Sequence, residues 1–278
     1  MDALWDIWLY NLQSQGCDAD RILQQSLFGN SLHNTGITDV TPRAVTTYWH
    51  GLDSHSTYQH NISSADRRQQ LAEQGWLDVE ITYDLNSWGF RSPGSVEFNT
   101  ITEPSLVTIG CSFTFGTGLH QSHLWGQLAA DQLSWRLINL GTPGHGLDMN
   151  TQWLLTHGHT LLNPRAVVIL QPPPGRLTWY EETADHSFIG NTYSMNKFER
   201  HEDIIKNLKY NAFMHYVKNY HSIRVWCKAH AVPFYFIDTA NVGGDITQYG
   251  LARDLAHTGR GWHRKIAERV VHMIKDSQ

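Results

Sequence analysis

Short apolar runs and longer amphipathic stretches alternate from residue 105 to residue 275. Residues 106–109 are β-favouring or apolar, Gly110 follows, and Gly116 and Gly118 come soon after. The pattern predicts a strand, a tight glycine-flanked turn carrying Ser112, and the start of a helix. Residues 120–131 set Leu124, Trp125, Leu128 and Ala129 on one helical face. Residues 137–140 predict a second strand, running into a glycine-rich loop over 141–146. A helix is expected over 147–162, with Leu154, Leu155, Leu161 and Leu162 facing in, stopped by Asn163-Pro164. The continuous apolar run 166–170 is that of a strand buried on both faces. Pro172, Pro173 and Pro174 then exclude further pairing, and 175–196 reads as a long, polar, aromatic-bearing loop. Residues 202–229 form the longest helix candidate, 233–237 a strand, 240–251 a loop and 259–275 a last helix, with Ile266, Val270 and Ile274 four apart. Strand–helix alternation of this kind predicts an α/β fold of three layers, with a central parallel sheet covered on both faces.

Residues 1–100 lack that alternation and read as an N-terminal accessory region packed on or covering the 101–278 domain. Within it, 1–15 and 18–27 are helix candidates, 29–41 is loop-like, 64–74 is helical and 79–83 alternates like a strand. The turn-rich run 84–95 carries Trp88, Phe90 and Arg91, bulky enough to pack a core edge or to lie over a site.

A hydrophobic content of 41% and 11 tryptophans suffice for a packed core in a chain of 278 residues. The net charge of −5, with basic residues dispersed, argues against nucleic acid or an anionic membrane as partner. The N-terminus has no basic leader, and no stretch is long enough to span a bilayer, so the expectation is a soluble, cytoplasmic protein without a secretory signal. Three cysteines at irregular spacing make no disulfide framework. Seventeen histidines appear without HExxH or CxxC, so no metal and no cofactor is expected.

A serine at the carboxyl end of a strand sits where open α/β sheets bind ligands, with the free N–H groups of the following turn beside it. Acyl transfer by such a serine needs a base near neutral pKa, a carboxylate to orient it, and donors for the oxyanion. Asp254 and His257, three residues apart before the last helix, supply the best base–carboxylate pair. Residues 110–116 are not the GxSxG elbow, since position 114 is Thr114.

Three blocks in order make residues 100–278 resemble the SGNH/GDSL hydrolase family of serine esterases, lipases and carbohydrate deacylases. The family's GDSxxxG is similar to Gly110-Cys111-Ser112-Phe113-Thr114-Phe115-Gly116. Its NxGxxGxG is similar to Asn139-Leu140-Gly141-Thr142-Pro143-Gly144-His145-Gly146. Its closing DxxH and following helix fall on Asp254, His257, His263, Ile266 and Ala267. The resemblance implies Ser112 as nucleophile, His257 as general base and later acid, and Asp254 as its orienting carboxylate. It further implies oxyanion donors at the N–H groups of Ser112 and Gly141. Asn139, Arg176 and Trp179 are substrate-side candidates, Asn139 more as a brace of the second loop. The aromatics Trp88 to Phe90 and Trp179 to Tyr180 could stack on a sugar or line an acyl pocket, or simply pack.

Two positions depart from the family. Cys111 stands where an aspartate is usual, and is a rival nucleophile whose side chain should point away from that of Ser112. The family's third-block asparagine, another oxyanion donor, is absent; Gln171 or Arg176 would have to replace it. Loss of one such donor costs about a hundredfold to a thousandfold in turnover. The expected activity is hydrolysis of a small acyl ester, with O-acetyl on a carbohydrate as one substrate, and the expected partner is a small acyl-ester or glycan substrate. The alternatives are a non-catalytic glycan-binding module on the same fold, or acyl transfer by the same triad.

Overall fold

The computed structural model describes residues 44–182, 188–194, 202–239 and 246–277, side chains excepted over 177–210 and 246–247. The helices and loop expected within residues 1–41 lie outside the described residues. The core is a parallel four-stranded sheet of β3 (Ser105–Ile109), β4 (Arg136–Asn139), β5 (Pro164–Leu170) and β8 (Phe234–Ile237), in the order β4-β3-β5-β8. Alternate residues of β3 and β5 face opposite layers, as the pleat requires. Val107, Ile109, Val167 and Ile169 bury against α5 (Asp148–His157) and α6 (Glu202–Ala229), around Trp153 and Trp226. Leu106, Val168 and Leu170 bury against α4 (Trp125–Leu133) and α7 (Arg260–Lys275), around Trp125 and Trp262. The α/β/α layering expected from the sequence is therefore present.

From β3 the chain crosses to β4 on one side; β5 then joins β3 on the other. The loops leaving β3 and β5 consequently diverge, which opens a crevice at their carboxyl ends. Ser112 lies there, at the start of the single-turn helix α3 (Ser112–Phe115).

Residues 44–100 pack on the loops of that same end. Strands β1 (Val45–Thr47) and β2 (Tyr83–Leu85) pair antiparallel, and α1 (His55–Ser63) and α2 (Ala65–Glu73) lie between them in sequence. The Ser54 hydroxyl accepts the Thr57 N–H at 3.1 Å and so caps α1. Leu71, Trp76, Ile81, Tyr83 and Leu85 form a third apolar cluster with Phe115, Leu119, Leu124 and Ala252.

Several boundaries differ from the sequence expectation. Within the expected loop over 175–196, the described residues 176–182 and 188–194 are strands. Strands β6 (Arg176–Glu182) and β7 (Phe188–Ser194) pair as an antiparallel hairpin, Trp179 opposite Asn191. The prolines end pairing with the main sheet, but they do not forbid a new two-stranded sheet beyond them, and the hairpin lacks the apolar run of a strand buried on both faces. Helix α5 stops at His157 and a 3-10 turn, Gly158–Thr160, follows. Leu154 and Leu161, seven apart, are buried, whereas Leu155 and Leu162, one position further around, are 52% and 60% exposed rather than inward-facing. Helix α4 starts only at Trp125, after a 3-10 turn at Gln121–His123. The strand expected at 79–83 forms instead at Tyr83–Leu85.

Candidate active site

β3 delivers the chain to Gly110 and Cys111, and α3 begins at Ser112. A Cβ at Gly110 would lie 2.2 Å from Thr114 Oγ1 and 2.7 Å from Leu170 O, so only glycine lets this turn sit against the end of β5. The Thr114 and Phe115 N–H groups both donate to Cys111 O at 2.9 Å. The N–H groups of Ser112 and Phe113 open the turn and have no acceptor among the described residues, as expected of a first helical turn. Cys111 is 1% exposed and its thiol is free, a buried position that removes the rival nucleophile from solvent.

The second loop is fixed by Asn139. Its Oδ1 accepts the Gly141 N–H at 2.9 Å and its Nδ2 donates to Thr114 O at 3.1 Å, so it ties β4's end to α3. Asn139 is 1% exposed, and both of these side-chain bonds brace the loop. The Oδ1 bond occupies the Gly141 N–H, expected as an oxyanion donor. Asn150, on α5, adds a second tie. Its Nδ2 donates to Leu140 O and, at 3.2 Å, to Thr142 Oγ1. Arg176 Nη1 reaches His145 O at 3.4 Å, over the outer part of this loop. Burial, with the Arg176 charge nearby, pushes the His145 imidazole down to about 4.

The third segment comes just before α7. Asp254 Oδ2 bonds His257 Nδ1, while its Oδ1 accepts the N–H groups of Ala256 and His257 at 3.1 and 3.0 Å. The i, i+3 spacing thus lets one carboxylate hold both the main chain and the ring of the same turn. Burial raises the Asp254 pKa, but the hydrogen bonds from the His257 ring and main chain, and the charge of that ring, outweigh it and leave the carboxyl below its usual range. The Phe113 ring, adjacent to Ser112, packs edge-on to the His257 ring at 5.5 Å. Ser112, Asp254 and His257 are 6%, 5% and 8% exposed. The structure therefore brings the first and last blocks together. Among the described residues, no hydrogen bond closes between the Ser112 hydroxyl and His257.

Gln171 continues β5, its N–H bonded to Ile237 O at 2.9 Å, and its side-chain Oε1 is buried without a partner. The side chain of Trp179 lies outside the described residues. Trp88 and Phe90 are packing residues: Trp88 meets Trp153 at 5.4 Å, and Phe90 is 6% exposed among Phe98 and Trp153. Arg91 is 1% exposed and donates to Gly116 O and Leu119 O at 2.7 Å each, holding the carbonyls that follow α3. Its hydrogen-bonding role was not legible from the sequence; the only signal was an arginine set among bulky apolar residues. Asn150 gave none. A cavity of about 540 Å³ opens by Arg136 and Asp131, and one of about 480 Å³ opens between α1, α2 and the Asp254 turn; neither is lined by Ser112. Among the described residues, no group of three His, Cys, Asp or Glu side chains could hold a metal, and no helix is long and apolar enough to cross a membrane.

No known family description matches the chain, and neither does any curated protein. Among solved structures the chain is similar to an acetyl xylan esterase, Est2A, from the rumen bacterium Butyrivibrio proteoclasticus, at 11% identity and a TM-score of 0.38. That match takes in 64% of this chain and 64% of the esterase. It is similar to a family two carbohydrate esterase from Clostridium thermocellum, solved with cellohexaose, at 15% identity, 63% and 65% coverage and a TM-score of 0.34. It is also similar to a member of the lipolytic protein G-D-S-L family from Veillonella parvula, at 11% identity, 62% and 98% coverage and a TM-score of 0.34. At these values the likenesses assign no role to any residue of this chain.

Proposed function

We propose that the protein is a serine hydrolase that cleaves a small acyl ester through an acyl-enzyme on Ser112. One observation carries the reading. The Asp254–His257 pair, bonded through side chain and main chain, is presented against the residue next to a serine at the carboxyl end of a central strand. A binding module has no need of a buried carboxylate that fixes an imidazole tautomer.

In this mechanism Asp254 accepts from Nδ1–H, which leaves Nε2 of His257 as the base. Nε2 takes the Ser112 proton as Oγ bonds to the ester carbonyl carbon, and the carbonyl electron pair moves to oxygen. The N–H groups at the start of α3 meet that oxyanion. Collapse breaks the bond to the alcohol oxygen, which leaves with the proton from His257. Water then repeats the sequence in reverse and frees the acid. Gly141 joins as a donor only if its N–H is shared with Asn139 Oδ1. Gln171 is the third donor in this reading, through its Nε2, because it follows Leu170 at the end of β5 beside Gly110. O-acetyl on a carbohydrate is the first natural substrate to try.

The test is labelling by a fluorophosphonate and turnover of p-nitrophenyl acetate, wild type beside Ser112→Ala. Wild type should label at Ser112 and hydrolyse the ester, and the variant should do neither. If neither protein labels and no short ester turns over, a non-catalytic glycan-binding module on this fold is the better reading. Turnover surviving in Ser112→Ala would remove Ser112 as nucleophile.

A further inference from the structure

The accessory segment places one carboxylate, Asp53, between the two halves of the candidate site. Asp53 is 1% exposed. Its Oδ1 accepts Arg253 Nε at 2.9 Å, and its Oδ2 accepts Arg253 Nη2 at 2.7 Å and the Tyr83 hydroxyl at 2.5 Å. Arg253 immediately precedes Asp254. The Tyr83 oxygen in turn accepts the Gly118 N–H at 2.9 Å, and Gly118 closes the loop that leaves α3 and Ser112. The circuit is completed through the main chain, since the Arg253 N–H donates to Gly118 O at 3.0 Å. Gly118, Tyr83, Asp53 and Arg253 thus form a closed, buried ring of hydrogen bonds.

Two further donors of Arg253 are also used within residues 44–100. Nη1 bonds Val79 O at 2.9 Å and Nη2 bonds Tyr48 O at 3.0 Å, with the guanidinium 4.2 Å from the Trp49 ring. An arginine that only needed neutralising could have met a carboxylate at the surface. This one is held in a planar, two-oxygen fork, which fixes direction as well as charge. Such a ring transmits position, because none of its members can shift without leaving a buried polar group unpaired.

We propose that Asp53 is a positioning residue that sets the Ser112 loop and the Asp254–His257 turn at a fixed mutual distance, making residues 44–100 part of the active-site frame. The proposal rests on the hydrolase reading for its catalytic consequence but not for its structural one.

Two variants test it, Tyr83→Phe, which keeps the ring and removes one link, and Asp53→Asn, which keeps the shape and removes the charge. Hydrogen–deuterium exchange is followed over residues 112–119 and 251–258, and kcat and KM are measured per folded molecule. Exchange should rise about tenfold in both segments together in each variant. Turnover should fall about tenfold to a hundredfold in kcat, with KM unchanged. Exchange that rises in one segment only, or in neither, overturns the link. A lowered Tm with kcat per folded molecule intact shows Asp53 to be structural ballast and also overturns it. Should Asp53→Asn fail to fold, Tyr83→Phe decides. Should wild type prove unreactive at Ser112, the hydrolase reading fails separately, and the exchange result still decides whether the ring couples the two segments.

Discussion

A single methyl group separates a workable second loop from a blocked one at Gly141. A Cβ there would lie 2.4 Å from Phe115 N and 2.8 Å from Thr114 C, both on the turn that carries Ser112. Main-chain atoms cannot swing aside as a side-chain tip can, so Gly141→Ala must push α3 or the loop. We expect a loss of about 1–3 kcal/mol in urea unfolding, as for other overpacked sites. Fluorophosphonate labelling of the folded fraction should slow as well, and unchanged labelling would show that α3 tolerates the shift. Gln171 is decided by chemistry instead of space. If its amide meets the oxyanion, Gln171→Ala lowers kcat on p-nitrophenyl acetate by about a hundredfold to a thousandfold. An unchanged kcat removes it and leaves Arg176 as the remaining candidate.

Among the elements, α4 and α7 share one face of the sheet and are joined by more than apolar contact. The Trp125 N–H, at the first turn of α4, donates to His263 Nδ1 on α7 at 3.0 Å. A helix N-terminus that must be buried has thereby found an acceptor on its neighbour. Burial pushes the His263 imidazole down to about 3, so it stays the neutral acceptor that this bond needs. His263→Leu keeps bulk but orphans the N–H, at a cost of about 1–3 kcal/mol. Chemical denaturation checks this, with ester turnover per folded molecule expected to remain. How far the sequence reached is clearest at this scale. The 202–229 helix was read with its bounds as observed, because three- and four-residue steps over 28 residues admit no other regular structure. The pairing of 176–182 with 188–194 is not legible in the sequence, because it is specified by partners on the facing strand and not by an apolar run.

For the whole molecule, pH is the lever. Burial is the leading cause that holds His50, His145 and His263 to about 4, 4 and 3, against an ordinary value of 6.5. The unfolded chain takes up protons below 6.5 that the folded chain refuses, so stability falls as pH drops from there toward 4. Each histidine contributes a slope of about 1.4 kcal/mol per pH unit within that window. Asp254 acts in the same direction further down. Its carboxyl is lowered in the fold, so its contribution is present above the usual carboxylate range and is lost as pH falls through the lowered value. Urea unfolding from about pH 7 to about pH 4.5 should show this steep loss, and a flat profile would mean that these rings reach solvent or gain partners on protonation.

The sequence by itself determined the parallel core, the helices that cover it, and the order in which Ser112, Asn139 and the Asp254–His257 turn arrive. Each of these is written in spacings of two to four residues, where strand pleat, helix turn and one carboxylate's reach are local matters. Only the tertiary structure decided that Asn139 Oδ1 takes up the Gly141 N–H, that Asn150 ties the same loop from α5, and that Asp53 joins Tyr83 to Arg253. The last of these bonds spans 200 residues of chain. A hydrogen bond at that separation leaves no periodicity behind, since its two ends meet only because the apolar layers between them have already packed.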